Sequence, residues 1–398
     1  MRAVTRSLSH FTDKQLDLNN FARGDGYLFV RDGVGYAGRG VAARIEPNKA
    51  IEFLQNIAHE NLSGISNVGP IAIGCIPFES SNPHEFVIPS VVFGKNANSE
   101  QWVTLIDDAM FDISEPATQK TDPAKFSVRP GVSIEHYLEA VRLTRTAVLN
   151  GEIAKAVIAR DIFVETDSPF NVHAILLQLK SNFGSSYRYL FDGLIGASPE
   201  LLIAVNGLDV RSHPLAGTVA RTGNPETDHQ LAIELIASTK NQLEHRIVID
   251  MVHDTLLPWC SYLDWQPEPS IVEVANVQHL GTEISGRLSE PKVSVLELAY
   301  ALSPTPALGG HPRKESLAQI KKVEGFERGR YGGAVGYVDA NGDGIFAVTI
   351  RCAELNENRT QARLFAGGGI VGDSDPDSEL AETQAKFKAM LAAITNNY

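Results

Sequence analysis

Cysteine is scarce in this 398-residue chain, with three residues, Cys75, Cys260 and Cys352, far apart from one another. An odd number without a CxxC pair supports neither a zinc site nor a disulfide framework, so reduced, buried, structural thiols are expected. No apolar run approaches the roughly 18 residues that cross a bilayer. The N-terminal stretch has basic residues but no apolar core or small-residue cleavage site, so no signal peptide is expected. Positive charge is in deficit: 35 Lys and Arg face 48 Asp and Glu, for a net charge of −13. Such an anion is poorly suited to a nucleic-acid backbone or an anionic lipid surface, so neither nucleic acid nor membrane is an expected partner. An anionic substrate would need cations concentrated in a pocket. What is present is an ordinary globular balance, 43% apolar and 21% charged, which excludes disordered, collagen-like and coiled-coil chains. At roughly 150 residues per domain the length suggests two to three domains, although one large unit also reaches this size.

The first third reads as β-rich. From Gly24 to Gly40, turn residues alternate with short β-prone runs, which predicts hairpins. Ile71-Ala-Ile-Gly-Cys-Ile-Pro-Phe is a continuous apolar run, consistent with a strand buried on both faces. Asp112 to Gly131 carries Pro116, Pro123 and Pro130 among polar residues and reads as a connector. It divides a β-rich N-terminal half (1–130) from a second region (131–398), the two expected to share one structural unit. A helix is predicted next, capped by Ser133, striped by Ile134, Leu138, Val141 and Val148, and ended by Gly151. The run Ile153 to Val164 is strand-like, and period two puts Lys155, Val157 and Ala159 on one face. A lysine among small apolar residues there is unusual. Helices are expected near 226–257 and 375–395, and strands near 333–338, 345–352 and 362–366. The architecture this predicts is α+β, with helices flanking extensive, mostly antiparallel sheet.

Few motifs carry chemistry alone. Asp339-Ala-Asn-Gly-Asp-Gly344 opens like a calcium loop, but Ile350 stands where a bidentate Glu is required, and strand-like residues lie on both sides. An Asn-Gly hairpin turn is expected instead. Gly367-Gly-Gly-Ile-Val-Gly-Asp is expected between a strand and a helix, where it serves either turn geometry or anion binding. Glu379, Glu382 and Lys386 share a helix face, either as a solvated salt-bridged surface or as oxygen ligands for Mg²⁺ beside an ammonium that contacts substrate. Glu244 is open to the same two readings. Ser198-Pro-Glu200 sets a carboxylate at the exit of an apolar strand, where burial would raise its pKa.

In order along the chain, Gly196-Ala-Ser-Pro-Glu200-Leu-Leu, Pro214-Leu-Ala-Gly217-Thr218, Gly332-Gly-Ala-Val-Gly336, Thr349-Ile-Arg351, Phe365-Ala-Gly-Gly-Gly369-Ile-Val and Glu379-Leu-Ala-Glu382-Thr form a set. The set resembles the chorismate-utilising enzymes: isochorismate synthase, salicylate synthase, anthranilate synthase component I and aminodeoxychorismate synthase component I. The resemblance covers about residues 130–395, and Ile73-Gly-Cys-Ile-Pro-Phe is similar to the family's N-terminal half. It implies large, mostly antiparallel sheets in a sandwich flanked by helices. Ser303-Pro-Thr-Pro-Ala307-Leu308 resembles the isochorismate synthase form, with Ala307 where ammonia-using members have Thr. Lys155 matches the general base of water-using members.

The resemblance therefore implies Mg²⁺-dependent conversion of chorismate to isochorismate, with water added at C2 and the C4 hydroxyl lost. Lys155 would be the base and Glu200 the acid. An ordinary lysine, with a pKa of about 10.4, is protonated at neutral pH, so the reaction requires a depressed amine and a raised carboxyl. By the same resemblance Glu244 and Glu382, with Glu379 close by or acting through water, would hold a Mg²⁺ that bridges one carboxylate of the dicarboxylate substrate. Arg351, Lys386 and backbone around Gly369 would hold the other substrate carboxylate. Gly217 and Thr218 would contact the ring substituents, with Ala307 and Leu308 also in the substrate site. His279 matches a pocket histidine or is structural, and Tyr331 shapes the pocket or packs. A glutaminase subunit is not expected, and a cytoplasmic monomer is. The product would feed menaquinone or a siderophore. Salicylate synthase, which goes on to eliminate pyruvate, and a non-catalytic chorismate-binding protein are the alternatives.

Overall fold

The glycine-punctuated N-terminal segment folds as its spacing predicts. Tyr27–Arg31 and Val34–Arg39 pair antiparallel, and the two turn residues between them, Asp32 and Gly33, have φ of 51° and 77°. Positive φ at both positions is the geometry of a type I′ hairpin, whose twist matches that of the strands. The structure, a computed structural model, describes residues 1–114, 125–274 and 277–395. Among these the strands form sheets of 13, 9 and 3 members. All their pairings are antiparallel except Arg2–Ser7 with Ala58–Asn61.

Both large sheets draw strands from either side of the predicted connector. Tyr27–Arg31 lies beside Tyr187–Phe191 in the first, and Ile71–Ile76 beside Ala334–Asp339 in the second. The fold is therefore one α+β unit. Pro116 and Pro123 lie outside the described residues, whereas Phe126–Pro130 forms an edge strand of the first sheet. The main core fills the space between the large sheets, where Phe29, Tyr189 and Leu194 of one pack with Ile76, Phe86 and Phe346 of the other. Ile71–Ile76 is buried along its whole length, as its continuous apolar pattern requires.

Helix Ile134–Leu149 is capped by Ser133, whose hydroxyl accepts from His136 N. Its buried face is Tyr137, Ala140, Val141, Thr144 and Ala147, while Ile134 is exposed. Of the predicted stripe, Val141 is buried and Val148 partly buried against the core, whereas Ile134 is exposed; the helix packs against strand Lys155–Thr166 and helix Pro376–Thr395. The predicted 226–257 helix is two, Pro225–Ala237 and Thr239–Leu256, with Ser238 breaking the first and capping the second through Asn241 N. Asp339 closes the Asn-Gly turn, its Oδ1 accepting from Asn341 N and Asp343 N. The three cysteines are unpaired; Cys75 and Cys352 are buried and Cys260 half-buried.

Two departures from the predicted strands place the site. The 345–352 run divides into Gly344–Val348 in the second sheet and Cys352–Leu355 in the first, so the chain changes sheet at Thr349–Arg351. A second crossing joins Leu194–Ser198 in the first sheet to Leu201–Asn206 in the second, with Glu200 between them. The glycine run is also not a strand-to-helix turn. Gly367, Gly368 and Gly369 lie inside strand Gln361–Ile370, opposite Ala159, Ile158 and Val157.

Candidate active site

The two sheet crossings bring a carboxyl and a guanidinium to one cavity of about 200 Å³. Its walls come from strand Lys155–Thr166 (Val157), the Glu200 crossing, strand Leu215–Ala220 (Gly217, Thr218), helix Thr239–Leu256 (Lys240, Asn241, Glu244), and the Ala307–Leu308 loop. His279, Tyr331, Arg351, Gly369 and the helix residues Glu379, Glu382 and Lys386 complete it. All the predicted site residues except Lys155 line this space.

Lys155 lies immediately behind the wall. It is 1% exposed, two residues before Val157 on the same strand face, and its Nζ lies 2.8 Å from Glu244 Oε1. The sequence expectation surrounded this amine with apolar residues alone, but a carboxylate shares its pocket. Burial raises Glu244, yet the charge and hydrogen bond of Lys155 hold it below the usual carboxylate range. The glycine run makes this pair possible. A Cβ on Gly369 would sit 2.5 Å from Glu244 Oε1 and 2.8 Å from Lys155 Cε, so any side chain there would displace both.

Glu200 is buried, and Leu215 N donates to its Oε1 at 3.4 Å. Burial pushes its pKa up to about 8, against the opposing effects of that bond and of the Lys155 and Arg351 charges. Desolvation thus keeps an acidic proton on a carboxyl near neutral pH. Arg351 has a φ of 52°, a backbone state that a non-glycine residue rarely takes. That turn carries the chain between the sheets. Its Nη2 donates to His279 Nε2 at 3.1 Å, so the neutral ring carries its proton on Nδ1, 3.0 Å from Thr218 Oγ1. Burial and the Arg351 and Lys386 charges hold His279 well below its ordinary pKa. The histidine thus orients Thr218 rather than carrying charge. Tyr331 stacks on Phe365, with ring centroids 5.1 Å apart and planes 9° from parallel.

The acids on helix Pro376–Thr395 face the same space. Glu379 accepts from Ser374 Oγ at 2.7 Å, and Glu382 pairs with Lys386, whose Nζ also donates to Gly367 O at 2.8 Å. Burial first, and the Glu382 charge second, push Glu379 up to about 7. A Cβ on Gly368 would lie 2.5 Å from Glu379 Oε2 and 3.9 Å from Glu382 Oε1, so the glycine leaves room for both acids. Among the described residues no three His, Cys, Asp or Glu side chains are drawn together as a metal-holding cluster. Glu244, Glu379 and Glu382 instead turn to Lys155, Lys240 and Lys386. The donor set nonetheless fits a hard divalent cation: three carboxylates around one cavity, one of them raised by burial and then by its neighbour's charge.

Sequence reasoning missed Lys240 and Asn241. Lys240 Nζ stands 3.9 Å from Glu379 Oε1, and Asn241 is what a Cβ on Gly217 would meet at 3.2 Å. The available signal was Lys240 four residues before Glu244, on the same helix face.

A family model described as chorismate binding enzyme matches residues 50–395. The chain belongs to the chorismate-binding enzyme family. The match extends well N-terminal of the motif set, to include strand Ala58–Asn61 that precedes Ile71. The chain is 35% identical over 336 residues to isochorismate synthase DhbC of Bacillus subtilis, covering 82% of this chain and 81% of that one. It is 32% identical over 358 residues to isochorismate synthase MenF of the same organism, covering 83% and 75%. The crystal structure of DhbC from Bacillus anthracis superposes with a TM-score of 0.81 at 31% identity, covering 94% of this chain and 98% of that one. Among the described residues no helix is long and apolar enough to cross a membrane.

Proposed function

We propose that this family member is an isochorismate synthase, an isomerase that adds water at C2 of chorismate and releases the C4 hydroxyl as water. The observation that carries the reading is one small cavity lined by a buried carboxyl raised to about 8, Glu200, with a buried amine, Lys155, immediately behind its wall. Expelling hydroxide is prohibitive at neutral pH, so the departing group must leave protonated. A neutral Glu200 carboxyl is the donor suited to that step. Lys155 would take the proton of the attacking water on the other side of the ring, a role open to it only as the neutral amine, once its ion pair with Glu244 is broken, and the ring double bonds shift between the two carbons. Protons and oxygens balance, with one water entering and one leaving.

The remaining residues bind and orient. Arg351 and Lys386 hold substrate carboxylate, and Gly369 contributes close backbone. Thr218, oriented by His279, and Gly217 contact the ring substituents. Ala307, Leu308 and Tyr331 shape the apolar wall. Glu244, Glu382 and Glu379 would hold Mg²⁺, which supplies positive charge to a dicarboxylate approaching an acidic protein. Every lining residue lies after residue 131, in keeping with a catalytic region at 131–398 that the N-terminal half completes as a sandwich. The same reading makes the enzyme a cytoplasmic monomer without a glutaminase subunit.

Product analysis of the purified protein with chorismate, with and without EDTA, tests the proposal. Isochorismate formed only in the absence of EDTA is expected. Stoichiometric salicylate and pyruvate would make it a salicylate synthase, and the absence of turnover a binding protein.

A further inference from the structure

Strand Lys155–Thr166 has a gap along one edge. Its opposite edge pairs continuously with Gln361–Ile370. On the gapped edge, Gly310–His311 covers Lys155 and Ala156, and Phe126–Pro130 covers Ile162 to Thr166. Val157 N is served by Gly309 O, and Asp161 O by Gly131 N. Between these points Val157 O and Ala159 N face no strand, and unpaired buried backbone groups are costly.

A buried ion pair fills the gap. Arg328 Nη2 donates to Val157 O at 2.7 Å, and Glu324 Oε1 accepts from Ala159 N at 2.7 Å. The two side chains also bond to each other, with Arg328 Nε 2.8 Å from Glu324 Oε2. The free corner of the guanidinium, Nη1, donates to Leu308 O at 2.8 Å. Arg328 further lies over the rings of Phe78 and Tyr331, at 4.3 and 5.8 Å. Val157, Leu308 and Tyr331 all line the catalytic cavity, whereas Arg328 and Glu324 do not; they line a separate cavity of about 640 Å³ behind it.

We propose that Glu324 and Arg328 are positioning residues for the isomerisation: their ion pair acts as a one-rung substitute for a missing strand and ties the Lys155 strand to the Leu308 loop and Tyr331. A planar guanidinium in a fixed fork can bond two carbonyls from different segments and both oxygens of a carboxylate at once, four bonds where a lysine ammonium has only three donors. The register of Lys155 against the ring-binding wall is thereby set from behind, without contact with substrate. This inference rests on the isochorismate synthase reading, so the parent enzyme is assayed first; a parent that makes no isochorismate refutes that reading and not the pair.

In an active parent, Arg328→Lys and Glu324→Gln are compared by kcat, KM and amide exchange. Arg328→Lys keeps the charge opposite Glu324 but loses the fork. Both variants are expected to lower kcat by about tenfold or more while KM changes by less than about threefold, as for displaced chemistry with intact binding. Exchange at Ala159 should rise without a matching rise across the rest of the strand. Arg328→Ala should recover kcat on addition of guanidinium ion, which the rear cavity admits. Parental kcat in a folded Arg328→Lys protein, or a kcat loss in Arg328→Ala that guanidinium leaves unmoved, would overturn the proposal. If either variant fails to fold, the soluble fraction of the other decides: unchanged kcat per folded molecule assigns the pair to stability alone.

Discussion

Lys155 and Glu244 meet as a buried ion pair, Nζ to Oε1 2.8 Å, against Gly369, where a Cβ would press on both side chains. One partner is the proposed base and the other a proposed metal ligand, so the pair links the chemistry of the site to its electrostatics. Removing the cation alone strands a buried carboxylate. Lys155→Met should therefore lower stability by about 3–5 kcal/mol and turnover by roughly 10²–10⁴-fold. Lys155→Met/Glu244→Gln should regain most of the stability, read as the denaturation midpoint, and none of the turnover. Recovery of turnover in the double variant would remove Lys155 from the reaction.

Glu200 gives the pH dependence a definite sign. Its carboxyl is raised to about 8 by burial, so the acid form needed to protonate the leaving hydroxyl is populated below that value and lost above it. Turnover should fall as pH rises through about 8, and Glu200→Gln should be nearly inactive at every pH. Stability follows the same protons. The folded state holds this proton across the interval from the ordinary value of 4.5 to about 8, so the carboxyl contributes an increasing loss of stability as pH rises through it. Relative to the parent, Glu200→Gln should melt higher at pH 9 than at pH 5. A parent and variant with parallel melting curves across that range would contradict the raised carboxyl.

Gly368 tests the metal assignment without replacing a proposed ligand. An alanine there would press on Glu379 Oε2, the end of a flexible side chain, so the fold should survive with little change in melting temperature. The displaced carboxylate should weaken the magnesium dependence of turnover by roughly tenfold. A magnesium titration indistinguishable from the parent would count against Glu379 taking part.

Glu382→Gln should abolish magnesium-dependent turnover and leave Lys386 paired only with Gly367 O. Circular dichroism should match the parent, because this acid is partly exposed and bonds to no strand. Magnesium activation equal to the parent's would exclude Glu382 as a ligand.

Local chemistry was legible in the sequence wherever it depended on neighbours along the chain. The hairpin at Asp32–Gly33, the Ser133 cap, the fully buried strand Ile71–Ile76 and the Asn-Gly turn that excludes calcium follow from spacing and turn residues. The shared face of Lys155 and Val157 follows from strand period, and the ordered motifs led to the family and its candidate residues. Tertiary structure alone decided the rest. The glycine run looked like a turn because its purpose, clearing space for Glu244 and Glu379, depends on two helices distant in sequence. Glu200 and Arg351 approach because the chain changes sheets at both, a crossing that no periodicity encodes. Lys155 meets a carboxylate, and Val157 O and Ala159 N meet Arg328 and Glu324, across separations no local pattern reports. Backbone preferences and burial patterns act over a few residues, whereas a charge in a low-dielectric site answers to whatever the fold places against it.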